Sequence, residues 1–288
     1  MDNIIVKLKN EFLTVTISSY GAEITSIKDA DEKEYLHQKD MIFWNSQAPI
    51  LFPVCSNLIN NEIKIDSVTY SIPPHGFVMG RNFNLMECTE DLAVFSFVSD
   101  DETKEMYPYD FELIVTFKLM GKSLDVSYEV INDTDGDMYF SVGAHEGYEC
   151  LEGIGNYEIH FEKEEKGNFY VYETDEIPEK FMKTENDHSI MMLHPELFKD
   201  SVTISVDNPE SEYVTLLNKE TGKEIRVEFA DFDNLYIWSV ENSQFVCIEP
   251  WCGAPYKGEQ LSDISEKPSI HKLEKGGQFE CHHAITIL

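Results

Sequence analysis

Three short segments carry residue types that can move protons. In IPPHGFVMG (72–80), His75 sits on a rigid turn between Pro-Pro and Gly-Phe. In YFSVGAHEGYEC (139–150), His145 ends an apolar run. In FVCIEPWCGAP (245–255), the run Phe245–Ile248 stops at the carboxylate of Glu249, and Trp251 follows two residues later. A carboxylate at the end of a buried strand costs free energy unless something pairs or uses it. A glutamate that accepts a proton beside a histidine that donates one forms a general base–acid pair. That chemistry needs no cofactor. Trp251 would offer an apolar face to the C–H bonds of a sugar ring and its N–H as a donor. Strand ends beside loops are where folds commonly place such groups.

Other chemistries lack local support. The chain contains no GxSxG, P-loop, GxGxxG or HExxH, so nucleophilic, nucleotide and zinc-protease readings have no motif to stand on. The six cysteines include no CxxC pair and read as buried free thiols of a reducing compartment. In CHH (281–283), alternation along a strand puts only Cys281 and His283 on one face, too few ligands for zinc, and no metal is expected.

The elements that must hold these groups are strands. FLTVTIS (12–18), FELIVTFKL (111–119), SLDVSYEVI (123–131), NLYIWSV (234–240) and FECHHAITIL (279–288) show the period-2 alternation of half-buried strands. Met120, Gly121 and Lys122 mark a hairpin. Helix signals are confined to single turns at HPELF (194–198) and LSDISE (261–266). The pattern predicts an all-β fold of roughly fifteen to twenty short strands, as a large sandwich or barrel. No Pro/Gly/Ser-rich linker divides residues 1–288, which are expected to form one domain. The polar span 163–190 reads as a hairpin and long surface loop within it.

The 288 residues carry 54 acids against 22 bases, a net charge of −32, with 42% apolar and 12% aromatic residues. Such a chain is expected to fold, to repel nucleic acid and anionic membranes, and to be cytoplasmic, since MDNIIVKLKNEF lacks the apolar core of a signal peptide. It contains two arginines, Arg81 and Arg226, few partners for a phosphorylated substrate.

The motifs PILFPVCSNL, PPHGF, FSVGAHEGY, LYIW and FVCIEPWCG, in that order and after an opening YGAEITSI, resemble those of the aldose 1-epimerase (galactose mutarotase-like) family. The resemblance runs from about residue 20 to the C-terminus. It implies a β-supersandwich of antiparallel strands with an open cleft, few short helices, no cofactor, and an enzyme that interconverts the α and β anomers of a free hexose as monomer or homodimer. By this resemblance Glu249 removes the proton from the C1 hydroxyl and His145 protonates the ring oxygen. His75 binds the sugar, Asp200 is near a family aspartate that holds sugar hydroxyls, and Asp233 is a weaker candidate for that task. The chain departs from the family where an arginine is replaced by Asn57 and where Val78-Met79 stand for Ala-Arg. Arg81, two residues beyond Met79, is placed on the same face if the segment is extended. Glu146 replaces a proline. Asn57, His75, Arg81, Asp200 and Trp251 are therefore the expected substrate-binding residues. Alternative readings are a non-catalytic carbohydrate-binding protein, a hexose-6-phosphate 1-epimerase, or a glycosidase or lyase, the glycosidase needing a second carboxylate across the scissile bond.

Overall fold

The computed structural model describes residues 2–165, 169–171, 182–184, 187–256 and 260–288. These form 23 strands, with helices limited to Asp101–Lys104 and a few 3-10 turns. Much of the loop expected over 163–190 lies outside the described residues.

Alternation becomes sheet geometry directly. Phe111–Met120 buries every second residue, and so does Ser123–Asn132, its partner across the Gly121-Lys122 turn. Each inward Val, Leu, Ile or Phe adds about 1.5–3 kcal/mol. These two strands lie in a ten-stranded antiparallel sheet together with Gln278–Ile287, Glu224–Glu228 and Tyr213–Asn218. A second sheet runs in the order Val142–Gly143, Phe245–Cys252, Asn234–Trp238, Thr203–Asp207, Phe169–Val171, with Glu146–Glu149 also paired to Phe245–Cys252. One apolar core joins the two, with Val126, Tyr128 and Ile285 of the first in the same cluster as Ile204, Ile237 and Ile248 of the second. The observed architecture is the antiparallel β-sandwich anticipated from the sequence.

The expected single turns are present. Pro195–Ser201 is capped by His194 and Ile264–Glu266 by Asp263. The turn Asp101–Lys104, closed by a capping box between Asp100 and Thr103, was not anticipated.

Candidate active site

Phe245–Cys252 is buried along its whole length. Glu249 therefore does not end a strand, as the sequence suggested, but sits inside one. Its neighbours follow from register. Gly143 pairs with Trp251 and Glu146 with Ile248, so the same register sets His145 opposite Glu249. On the other side Tyr236 pairs with Glu249 and Trp238 with Cys247, and Thr203 pairs with Trp238 in the next strand. Paired residues share a face. One face of the sheet thus presents Thr203, Trp238, Tyr236, Glu249, Trp251 and His145.

Pro250 explains how Trp251 is held. Ala144 and Pro250 occupy positions that normally exchange two backbone hydrogen bonds. The Ala144 N–H donates to the Pro250 carbonyl at 3.0 Å, but proline has no N–H to return. The Trp251 indole N–H takes the vacant place and donates to the Ala144 carbonyl at 3.1 Å. The ring then lies over Gly143, where a Cβ would come within 2.6 Å of Trp251 Cδ1.

His75 arrives from another segment. Leu51 exchanges backbone bonds with Gly143, Phe52 donates to the His75 carbonyl, and His75 donates to Ser56. The turn closes at Gly76, whose φ is +80° and where a Cβ would lie 1.9 Å from the Phe52 carbonyl oxygen. Nδ1 of His75 accepts from the Ser56 N–H at 3.2 Å. The ring proton is therefore on Nε2, as a donor. The ring stands edge-on to His145 and Trp251, with centroids 5.5 and 5.7 Å away.

These residues line a cavity of about 420 Å3 with Trp44, Ser46, Pro49, Leu51, Ser56, Asn57, Met79 and Pro255. All three tryptophans of the chain face it. Trp44 stacks on His145 at 5.0 Å and meets Trp238 edge-on at 5.6 Å. Among the described residues no lysine or arginine lines the cavity.

His145 Nε2 is 3.3 Å from Glu249 Oε2, and the two are 8% and 1% exposed. Glu249 Oε1 and His145 Nδ1 have no hydrogen-bond partner. Burial pushes the Glu249 carboxyl well above its ordinary 4.5, with the nearby Glu146 charge adding to the rise. Burial pulls His145 well below 6.5, helped by His75, and burial lowers His75 to about 4. Low-dielectric surroundings thus oppose charge on each group. The pair is favoured as a neutral unit that shares one proton.

Among the described residues, two groups have donor atoms close enough to hold a metal ion: Cys247 with the cavity-lining His145 and Glu249, and Asp233, Cys252 and His271 away from the cavity.

A family model for aldose 1-epimerase matches residues 5–261. The chain belongs to the aldose 1-epimerase family. Protein LacX of Lactococcus lactis subsp. lactis is 35% identical over 98% of this chain and 99% of its own. Among solved structures, a galactose mutarotase-like protein from Lactobacillus casei superimposes with a TM-score of 0.91 at 24% identity, covering 99% of this chain and 100% of its own. A galactose mutarotase related enzyme from Lactobacillus acidophilus does so with a TM-score of 0.90 at 26% identity, covering 99% and 97%.

Of the residues that the sequence pointed to in this epimerase-family chain, the structure brings Glu249, His145, His75, Trp251 and Asn57 to one cavity. Four expectations differ. Val78–Gly80 is a 3-10 turn rather than extended chain. Met79 lines the cavity, whereas Arg81 is rotated away and pairs with Glu102 at 2.7 Å. Asp200 is exposed at the end of a 3-10 segment; Thr203, in register with Trp238, lines the cavity instead. Asp233 is one position off the cavity face and binds His271 at 2.7 Å. The Trp251 N–H, expected as a donor to sugar, is engaged by Ala144.

Trp44, Tyr236, Trp238 and Thr203 were missed. LYIW carried a motif signal that register turns into a site. Nothing local marks Trp44, whose place depends on Gly147, where a Cβ would lie 2.9 Å from its ring.

Proposed function

We propose that this protein interconverts the α and β anomers of a free aldose, with Glu249 and His145 as the catalytic pair. The observation that carries the reading is the 3.3 Å approach of His145 Nε2 to Glu249 Oε2 in an aromatic-walled cavity. Glu249 takes the proton of the C1 hydroxyl, and His145 gives one to the ring oxygen. The C1–O5 bond breaks, the open aldehyde rotates about C1–C2, and O5 re-attacks the other face with the proton movements reversed. The working state, carboxylate and imidazolium, holds the same single proton as the neutral pair. A bound sugar therefore redistributes one proton rather than recruiting another. His75 Nε2–H offers a fixed donor to a sugar oxygen, and the tryptophan faces suit ring C–H bonds.

The absence of lysine and arginine from the described lining favours a free sugar over a 6-phosphate. We place the activity in one domain spanning the chain and in the cytoplasm. All six cysteines are free thiols, as in a reducing compartment. The described residues contain no helix long and apolar enough to cross a membrane.

The test is anomer equilibration of α-glucose and α-galactose by polarimetry, beside glucose 6-phosphate. Acceleration of the free sugars above the phosphorylated one is expected. Saturable sugar binding with an unchanged equilibration rate would refute catalysis, and a faster 6-phosphate rate would refute the substrate class.

A further inference from the structure

We infer that Asp233, Cys252 and His271 form a site for a divalent metal of zinc type, separate from the sugar cavity. Register creates it. Asn234 pairs with Trp251 and Val142 with Cys252, so Asp233 falls opposite Cys252. Both point away from the face that carries Glu249 and Trp251. The short strand His271–Leu273, paired with Met138–Phe140, brings the imidazole to the same place.

One donor atom from each residue lies within 4.8 Å of the other two. His271 Nε2 is 2.7 Å from Asp233 Oδ2. Zinc bonds of about 2.0–2.3 Å give ligand–ligand edges of about 3.3–3.6 Å in a tetrahedron. The donors thus need to move apart or together by only a fraction of an ångström to about 1 Å. Thiolate, imidazole and carboxylate together match a borderline-soft ion and not calcium or magnesium.

The donors are held by burial and by contacts with their neighbours. Cys252 is fully buried, its thiol donates toward the Asp231 carbonyl at 3.5 Å, and the Cys281 thiol is its hydrogen-bond neighbour. The His271 ring packs on Phe279 and Phe140, with centroids 4.6 and 5.8 Å away. Asp233 and His271 remain part-exposed, at 35% and 24% of their side chains, which leaves the donors reachable from solvent. On binding, the Cys252 thiol loses its proton to solvent and the metal replaces the proton between His271 and Asp233. The ion would tie Asn234–Trp238, Phe245–Cys252 and His271–Leu273 together beneath the cavity floor.

The test titrates the full chain, stripped of metal by a chelator, with cobalt(II). A thiolate-to-cobalt absorption band that saturates at one equivalent and is erased by zinc is expected. Cys252→Ser should lose the band. Asp233→Asn and His271→Gln, both at part-exposed positions and checked as folded by circular dichroism, should weaken binding at least ~10-fold, the least that altering a metal's surroundings commonly costs. Cys88→Ser, at the exposed cysteine, and Cys247→Ser, in the cavity cluster, should keep it. The proposal is overturned by no saturation at one equivalent, by a Cys252→Ser variant that retains the band, or by loss of the band in Cys88→Ser or Cys247→Ser.

Discussion

Replacing Glu249 by Gln removes the proposed base and leaves the shape of the site. The side chain is 1% exposed and its Oε2 faces His145 Nε2 at 3.3 Å, so an isosteric amide fits and its N–H2 can donate to the imidazole. One positioned acid–base group is worth ~10²–10⁴ in rate, or about 3–5 kcal/mol of barrier. The equilibration rate constant should fall by that factor. Stability should not fall with it. The Glu249 carboxyl is raised in the folded state by burial. Ionisation above 4.5 therefore favours the unfolded chain, and stability drains as pH rises toward the folded value. Gln cannot ionise and escapes this loss, so Glu249→Gln should melt no lower than the parent at pH 7.

His145→Gln should cost a similar factor, and the double variant little more than the worse single one, because the two groups pass one proton as a unit. Polarimetry on all four proteins at equal concentration, with melting curves alongside, gives the cycle. Full activity in Glu249→Gln would refute the assignment of the base. Fully additive losses in the double variant would refute the shared proton.

The pH–rate profile should be bell-shaped, with both limbs belonging to the pair. The acidic limb, where the pair takes a second proton, should lie below the ordinary histidine 6.5, since burial lowers His145. The basic limb, where its last proton leaves, should lie above the ordinary glutamate 4.5. A flat rate from pH 3 to 10 would contradict this. Gly143→Ala puts a Cβ 2.6 Å from Trp251 Cδ1 and 3.2 Å from Cys55 Sγ. It should displace the indole, raise KM for sugar and change tryptophan emission, and parent-like kinetics would show that the close approach is relieved elsewhere.

Much of the fold is legible because period-2 alternation is local: each strand can be read without its partner. The buried pair proposed as catalytic is visible for a related reason, as Glu249 and His145 interrupt apolar runs where a polar residue is costly. Arg81 was misjudged because the two-residue rule holds for extended chain, and Val78–Gly80 coils instead. Asp200 was misjudged because a match in sequence neighbourhood does not specify a face; Thr203 faces the cavity through its pairing with Trp238. Tyr236 and Trp238 needed register between separate strands, and the metal-type cluster needed it among three.

EPW shows where the boundary lies. Read locally, Pro250 looks like a strand terminator, since proline cannot donate to a ladder. Across from Ala144 it does something else. The missing N–H leaves a carbonyl for the Trp251 indole, and the strand continues to Cys252. The proline thus fixes the tryptophan beside the glutamate, and the indole bond in turn anchors Ala144, the residue that precedes His145. A substitution at Pro250 would restore a competing backbone donor to that carbonyl. The residue between Glu249 and Trp251 therefore helps set the geometry of His145 on the neighbouring strand, a role visible only when both strands are in place.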